Sequence, residues 1–232
     1  MLIFAHRGAS KAAPENTLQA MQYALQMGAH GIEIDVIQAA GQCWVIHDAW
    51  VQRTTNGQGR LDQMTEAQIR QLDAGNGQQV PTLFDVMALV GNRCLLNIEL
   101  KGITDLAHFL KHLDSACETL NIGCQQLLLS SFDHPLLAKL AHLRPELTIG
   151  ALTASCPLHY AAFAQELNAA SVHTDIAFTN PEFVQDAKAR GLKVYVYTVD
   201  EVQDMQRLKS WGVDGIFTNV PDRALAWLQQ AD

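Results

Sequence analysis

The chain has 232 residues, 48% of them apolar, a mean hydropathy of zero and a formal charge of −8 from 16 basic and 24 acidic side chains. That length suits one barrel domain and could also hold two small ones. Because the charges are scattered and net acidic, the composition argues against a nucleic-acid partner and against stable association with an anionic membrane surface.

The amino end carries neither a basic leader nor a long apolar core, and no charge-free run of about 18 apolar residues occurs. The cytoplasm is therefore the expected compartment. Cys43, Cys94, Cys117, Cys124 and Cys156 are odd in number, widely spaced and mostly in apolar surroundings. They read as buried, reduced thiols rather than as disulfides or metal ligands.

In chain order, a first strand is expected over Leu2–Ala5, delivering His6-Arg7-Gly8 to its carboxyl end, followed by a helix over Thr17–Met27 that stops at Gly28. A second strand is expected over Gly31–Val36, with a further run at Trp44–Ile46. Asp48 to Val80 then breaks the rhythm with a polar, turn-rich segment holding a short helix that opens at Thr65, long enough to be a lid or insertion over the barrel mouth. Strands over Leu95–Leu100, Leu127–Ser130, Thr148–Leu152, Ser171–Thr174, Val194–Tyr197 and Gly215–Phe217 follow. Helices are expected over Leu83–Val90, Asp105–Leu120, Pro135–Leu143, Leu158–Leu167, Pro181–Arg190, Val202–Trp211 and Pro221–Gln229, with Thr82 and Asn180-Pro181 as entry signals. Near-continuously apolar strands alternating with helices match an α/β protein, a (β/α)8 TIM barrel. A doubly wound sheet fits less well, since the first loop has neither a GxGxxG nor a Walker pattern.

Glu33 and Asp35 in GIEIDV are two apart on one strand, so both side chains point to the same side while Ile32, Ile34 and Val36 face the other. The same alternation puts Asn97, Glu99 and Lys101 together on the next barrel strand. Carboxylates converging from neighbouring strands need a cation, and oxygen ligands suit a hard divalent ion such as Mg2+ or Ca2+. His6 and His47 end strand-like runs beside Arg7 and Asp48. With Arg7 and Lys101 available for an anion, the set reads as a phosphoryl-transfer site in which one histidine removes a proton and the other donates one. His173 is a candidate for the pocket wall, whereas His108, His112, His134, His142 and His159 read as solvated surface residues.

The stretches HRGASKAAPENT, GIEIDV, VIHDAWVQRTTNGQGRL, VPTLFDVM, NIELK, SSFD and GVDGIFTNVPD, in that order, resemble the motifs of the glycerophosphodiester phosphodiesterase family over nearly the whole chain. The resemblance implies a TIM barrel of the phospholipase C-like phosphodiesterase superfamily with a small insertion after the second strand, at about 48–80. It implies hydrolysis of small glycerophosphodiesters such as glycerophosphocholine or glycerophosphoethanolamine to sn-glycerol 3-phosphate and an alcohol. A divalent metal is implied, Mg2+ or Ca2+ with Mn2+ as a further option.

By the same resemblance His6 and His47 are the acid/base pair, Glu33, Asp35 and Glu99 the metal ligands, and Arg7 and Lys101 the phosphate contacts. The glycerol 2-hydroxyl would be the nucleophile, giving a cyclic phosphate that water opens. Phe132 and Tyr197 are further candidates for substrate contact, with Trp50 in the insertion as another aromatic. The seventh strand, VYVYTVD, departs from the family's VWTVN-like stretch by placing Tyr197 and Asp200 there. Two readings stay open beside the leading one: another metal-dependent TIM-barrel enzyme, a lyase or isomerase, and a catalytically idle barrel that binds ligand. Monomer and homodimer are equally open.

Overall fold

Strands that are apolar on both faces need cover on both, and a closed parallel sheet ringed by helices supplies it. The computed structural model describes residues 1–231 and contains nine strands: β1 (Leu2–His6), β2 (Gly31–Ala39), β3 (Gln42–Val45), β4 (Leu95–Gly102), β5 (Leu127–Ser131), β6 (Thr148–Thr153), β7 (Ser171–Asp175), β8 (Lys193–Tyr197) and β9 (Gly215–Thr218). Eight are parallel and run in the order β1-β9-β8-β7-β6-β5-β4-β2, and a β1–β2 pairing closes the ring. The expected TIM barrel is the fold. β3 lies outside the ring as an antiparallel partner of an extended β2, with Val36 opposite Val45 and Ala39 opposite Gln42.

The helices are α1 (Leu18–Met27), α2 (Glu66–Ile69), α3 (Leu83–Val90), α4 (Leu106–Leu120), α5 (His134–Leu143), α6 (Ala162–Glu166), α7 (Pro181–Ala189), α8 (Val202–Ser210) and α9 (Pro221–Ala231). Their starts follow the sequence signals. Thr17 caps α1 by accepting from Ala20 N, Thr82 forms a capping box with Asp85 at α3, and Asn180 caps α7 just before Pro181. The helix expected over Leu158–Leu167 is only α6, because Tyr160 adopts φ +46, a left-handed conformation that an α-helix cannot continue through. Among the described residues no helix is long and apolar enough to cross a membrane.

Two apolar layers build the barrel. Between strands and helices, Ile32, Ile34 and Val36 of β2 pack with Val86 and Met87 of α3, Phe109 of α4 and their equivalents around the ring. Inside the ring's lower half, Phe4, Leu128, Tyr195 and Phe217 fill the axis, with the Phe4 and Phe217 ring centroids 5.1 Å apart. Gly31 makes room there, since a Cβ at that position would lie 2.4 Å from the Phe4 ring. This floor leaves the upper half of the barrel for polar side chains.

The segment after His47 is a small packed unit. Val51, Leu61, Ile69, Leu72 and Val80 form their own buried cluster against Ile37 and Trp44 of the β2–β3 hairpin, and Thr65 caps α2 with a reciprocal Gln68 contact. The apolar base begins earlier than the polar composition suggested, with the hairpin itself. Two other expectations are corrected. Cys43 and Cys94 are buried, but Cys117 and Cys124 are half-buried and Cys156 is exposed. His134 is not a solvated surface residue: it stacks on Phe163 at 4.8 Å and donates from Nε2 to the Leu152 carbonyl, which ties α5 to β6.

Candidate active site

Strand register decides which polar residues meet. Paired residues of neighbouring parallel strands share a face, and the pairs here are His6 with Glu33, Glu33 with Asn97, and Asp35 with Glu99. Their side chains therefore rise into the same upper half of the barrel, at the carboxyl ends of the strands. A cavity of about 370 Å3 opens there. One half of its wall is charged, formed by His6, Arg7, Glu33, His47, Glu99 and Lys101; the other is largely aromatic, formed by Phe132, His173, Asp175, Tyr197 and Phe217.

Glu33, Asp35 and Glu99 each offer a carboxylate oxygen, and these oxygens lie within 4.8 Å of one another. Glu33 and Asp35 are only 3% and 1% exposed. Burial first, and then the Asp35 and Glu99 charges, push the Glu33 pKa well above its usual range; burial and Asp35 do the same, less strongly, to Glu99. Partial relief comes from Arg7, whose backbone N donates to Glu33 Oε2 at 2.9 Å and whose Nε lies 3.2 Å from Asp35, and from Lys101 Nζ, 3.1 Å from Glu99 and 3.8 Å from Asp35. Asn16 Nδ2 donates to Asp35 at 2.9 Å and fixes that carboxylate. Even so, Glu33 Oε1 and Asn97 Oδ1 are buried with no donor among the described residues. Orphaned acceptors beside three converging carboxylates fit a hard divalent cation, so the trio could hold a metal.

The two histidines are held differently. His6 Nδ1 donates to Asn219 Oδ1 at 2.8 Å, and burial, with help from the Arg7 charge, lowers the pKa of the ring. His47 Nδ1 donates to the adjacent Asp48 carboxylate, while its Nε2 stands 3.0 Å from Lys101 Nζ. Asp48 is in turn bound by Arg53 from the inserted segment, and Arg53 reaches across to Glu15 with both of its terminal nitrogens at 2.9 Å. Glu15 also accepts from Arg7 Nη1 at 2.8 Å. A chain of alternating charges thus runs from Arg7 through Glu15, Arg53 and Asp48 to His47. Arg7 itself has φ +58, a conformation costly for a residue with a side chain, kept by its backbone bond to Glu33 and by the ion pairs. Gly8 follows with φ +81, where a Cβ would lie 2.7 Å from the Ala20 backbone.

Phe132 and Tyr197 meet edge to face with centroids 6.1 Å apart, and Lys101 Nζ lies 5.9 Å from the Phe132 ring centre. Tyr197 Oη donates to the Thr153 carbonyl at 2.8 Å. His173 lies in the cavity wall, wholly buried against Tyr195 and Phe217, and burial depresses its pKa to about 3. The ring is therefore neutral. Trp50 is not part of the cavity wall; it is half exposed, with the Arg60 guanidinium over its ring at 5.8 Å. Arg53, Asp175 and Asn219 carried no weight in the sequence reading. Asn219 stands in the GIFTNVPD stretch and Arg53 eight residues after the strand that ends the hairpin, but a loop side chain has no direction until the loop is folded.

A phosphate would find cations in this cavity, a metal would find carboxylates, and proton-transfer groups stand beside both; that combination defines a phosphodiesterase of the TIM-barrel class. The chain belongs to the glycerophosphoryl diester phosphodiesterase family, whose model matches residues 6–223. It is 38% identical to a glycerophosphodiester phosphodiesterase of Caldanaerobacter subterraneus subsp. tengcongensis over 95% of each chain, and 32% identical to one of Bacillus subtilis over 96% of this chain and 84% of that one. Among solved structures it is similar to an Oleispira antarctica phosphodiesterase in complex with the product sn-glycerol-3-phosphate, with a TM-score of 0.90, 28% identity and coverage of 99% of this chain and 97% of that one.

Proposed function

We propose that the chain hydrolyses glycerophosphodiesters to sn-glycerol 3-phosphate and an alcohol, with glycerophosphocholine and glycerophosphoethanolamine as representative substrates. The observation that carries this reading is the placement of His6 and His47 beside the Glu33-Asp35-Glu99 trio in a cavity that also holds Arg7 and Lys101. Family membership and the complete set of acids and bases favour this over a lyase, an isomerase or an idle barrel.

Glu33, Asp35 and Glu99 would hold a divalent ion, Mg2+ or Ca2+ with Mn2+ as a further option, and Arg7 and Lys101 would bind the phosphate oxygens. When bound, the ion supplies Lewis-acid neutralisation of phosphate charge. His6, with its proton on Nδ1, offers Nε2 as an acceptor and would take the proton of the glycerol 2-hydroxyl. The 2-oxygen forms a bond to phosphorus while the bond from phosphorus to the alcohol oxygen breaks. His47, protonated on both ring nitrogens and balanced by Asp48 once Lys101 Nζ has turned from its Nε2 to the phosphate, would give that oxygen the Nε2 proton. Water then opens the five-membered cyclic phosphate with the two rings in exchanged roles. An internal hydroxyl needs no protein nucleophile, and proximity makes the first step fast. Phe132 and Tyr197 would pack against the organic part of the substrate. The whole chain would work as one catalytic domain in the cytoplasm, with segment 48–80 as part of the rim.

The test is release of sn-glycerol 3-phosphate from glycerophosphocholine. Turnover that EDTA abolishes and Mg2+, Ca2+ or Mn2+ restores supports the reading. Binding without turnover under all three ions would overturn it.

A further inference from the structure

Asp200, at the end of the stretch after β8, and Asn219, just after β9, are not in the cavity wall, yet together they contact His6 through an unbroken set of bonds. Asn219 Oδ1 accepts from His6 Nδ1 at 2.8 Å and from Ser10 Oγ at 2.9 Å. On its other side Asn219 Nδ2 donates to Asp200 Oδ2 at 2.8 Å, and Asn219 backbone N donates to Asp200 Oδ1 at 2.8 Å. Thr218 Oγ1 adds a third donor to the same carboxylate at 3.1 Å.

A primary amide has one accepting and one donating end of nearly equal size, so shape alone does not orient it. Here charge does. Turning the Asn219 amide by half a turn would set its oxygen against the Asp200 carboxylate and remove the acceptor that Ser10 and His6 share. With a carboxylate fixed on one side by three donors, the oxygen must face the imidazole. An amide oxygen only accepts, so Nδ1 of His6 must carry the proton, and Nε2 is left with its lone pair. An unrestrained neutral imidazole populates both tautomers.

We propose that Asp200 and Asn219 are positioning residues for the phosphodiester reaction: the Asp200 carboxylate orients the Asn219 amide, and that amide holds His6 in the tautomer whose Nε2 can accept a proton. The inference rests on the role proposed above for His6. Neither residue lines the cavity, so neither would touch substrate. What they supply is the difference between a ring that is always in the accepting form and one that is in it part of the time.

The arrangement also makes a specific swap informative. In the double variant Asp200→Asn/Asn219→Asp, the introduced carboxylate at 219 can accept from His6 Nδ1 and Ser10, while the introduced amide at 200 donates to it and accepts from the 219 backbone N and Thr218. Every bond is kept with the charge moved one position nearer the ring. In Asp200→Asn alone the introduced amide keeps its oxygen on the 219 backbone N and Thr218, so its NH2 faces the Asn219 NH2 unless Asn219 turns its oxygen away from the ring, and a turned Asn219 would favour the opposite tautomer of His6.

The test has a spectroscopic and a kinetic arm, both in Mg2+ buffer at about pH 8, where an imidazole of lowered pKa is neutral. Two-bond 1H–15N spectra of 15N-histidine-labelled protein, with the His6 signal assigned by its loss in His6→Gln, should show a protonated Nδ1 and a pyridine-type Nε2. In Asp200→Asn the two nitrogen shifts should move toward each other, and kcat should fall about tenfold with KM within about twofold. The double swap should restore the wild-type tautomer pattern and bring kcat back to within about threefold. A wild-type spectrum with the pyridine-type nitrogen at Nδ1 would overturn the proposal even if no variant folds. So would an Asp200→Asn protein that is less stable but keeps the tautomer pattern and kcat, or a folded double swap that recovers neither. Absence of phosphodiesterase activity in the wild type would refute the proposed function instead, and the spectrum would still decide the tautomer.

Discussion

Glu15 joins the β1–α1 loop to the inserted segment, and its removal should weaken the protein in a way that depends on pH. Its two oxygens accept three bonds, one from Arg7 at 2.8 Å and two from Arg53 at 2.9 Å. Burial works to raise the pKa of this carboxyl, but the Arg53 bonds and the Arg7 charge outweigh it and bring the group from 4.5 down to about 2. A shift of that size has a ceiling of about 3.4 kcal/mol at neutral pH. The Glu15 side chain is 24% exposed, so solvent screening reduces the expected cost of Glu15→Gln to about 1–2 kcal/mol. The sign follows from the depressed pKa. The stabilisation is complete above the unfolded-state value near 4.5 and is lost as pH falls toward the folded value near 2. By about pH 3 more than half of the difference between wild type and variant should be gone. Urea denaturation at intervals from about pH 7 to about pH 3 measures it. A gap that stays constant across that range, or no gap at neutral pH, would refute the argument that the ion pairs of Glu15 stabilise the fold.

Mg2+ at about 100 times its dissociation constant should stabilise the wild type by about 2.7 kcal/mol, about 5–10 °C in melting temperature for a chain of this size. Glu33→Gln or Glu99→Gln should remove that shift and leave the metal-free protein as stable or more so; equal shifts in wild type and variants would move the ion elsewhere. Because burial and the neighbouring acids raise both carboxyls, their contribution to metal-free stability should decline as pH rises from about 4.5 through their folded values, so that Glu33→Gln gains on the wild type with rising pH. His6→Ala and His47→Ala should each lower turnover by at least about 100-fold with an unchanged circular dichroism spectrum, and near-normal turnover in either would remove that ring from the mechanism. Arg7→Ala should raise KM and lower kcat together, since no solvent arrangement replaces a guanidinium held in a strained backbone position; unchanged kinetics would take Arg7 out of the phosphate site.

Much of the molecule is legible in the sequence because its causes are local. Alternation along GIEIDV and NIELK set Glu33, Asp35 and Glu99 on one face of their strands, and that face could only be the inside of a barrel whose other face was apolar. Thr17, Thr82 and Asn180 marked helix starts for the same reason: a side-chain oxygen that satisfies a nearby N–H does so wherever the helix lies. α6 is shorter than its apolar pattern suggests because the left-handed turn at Tyr160 has no signature in residue type.

Periodicity, caps and family motifs depend on residues a few positions apart, and so they are written in the chain itself. Who meets whom across the mouth is settled by the folded ring. His6 and Asn219 are 213 positions apart, and Arg53 and Glu15 are 38 apart. Their contacts exist because the closing of β1 against β2 and β9 brings separate loops onto one rim. Closure is a property of the whole ring. No window of the chain contains it, so the tautomer of His6 and the anchoring of the inserted segment are set by the fold and become visible only there.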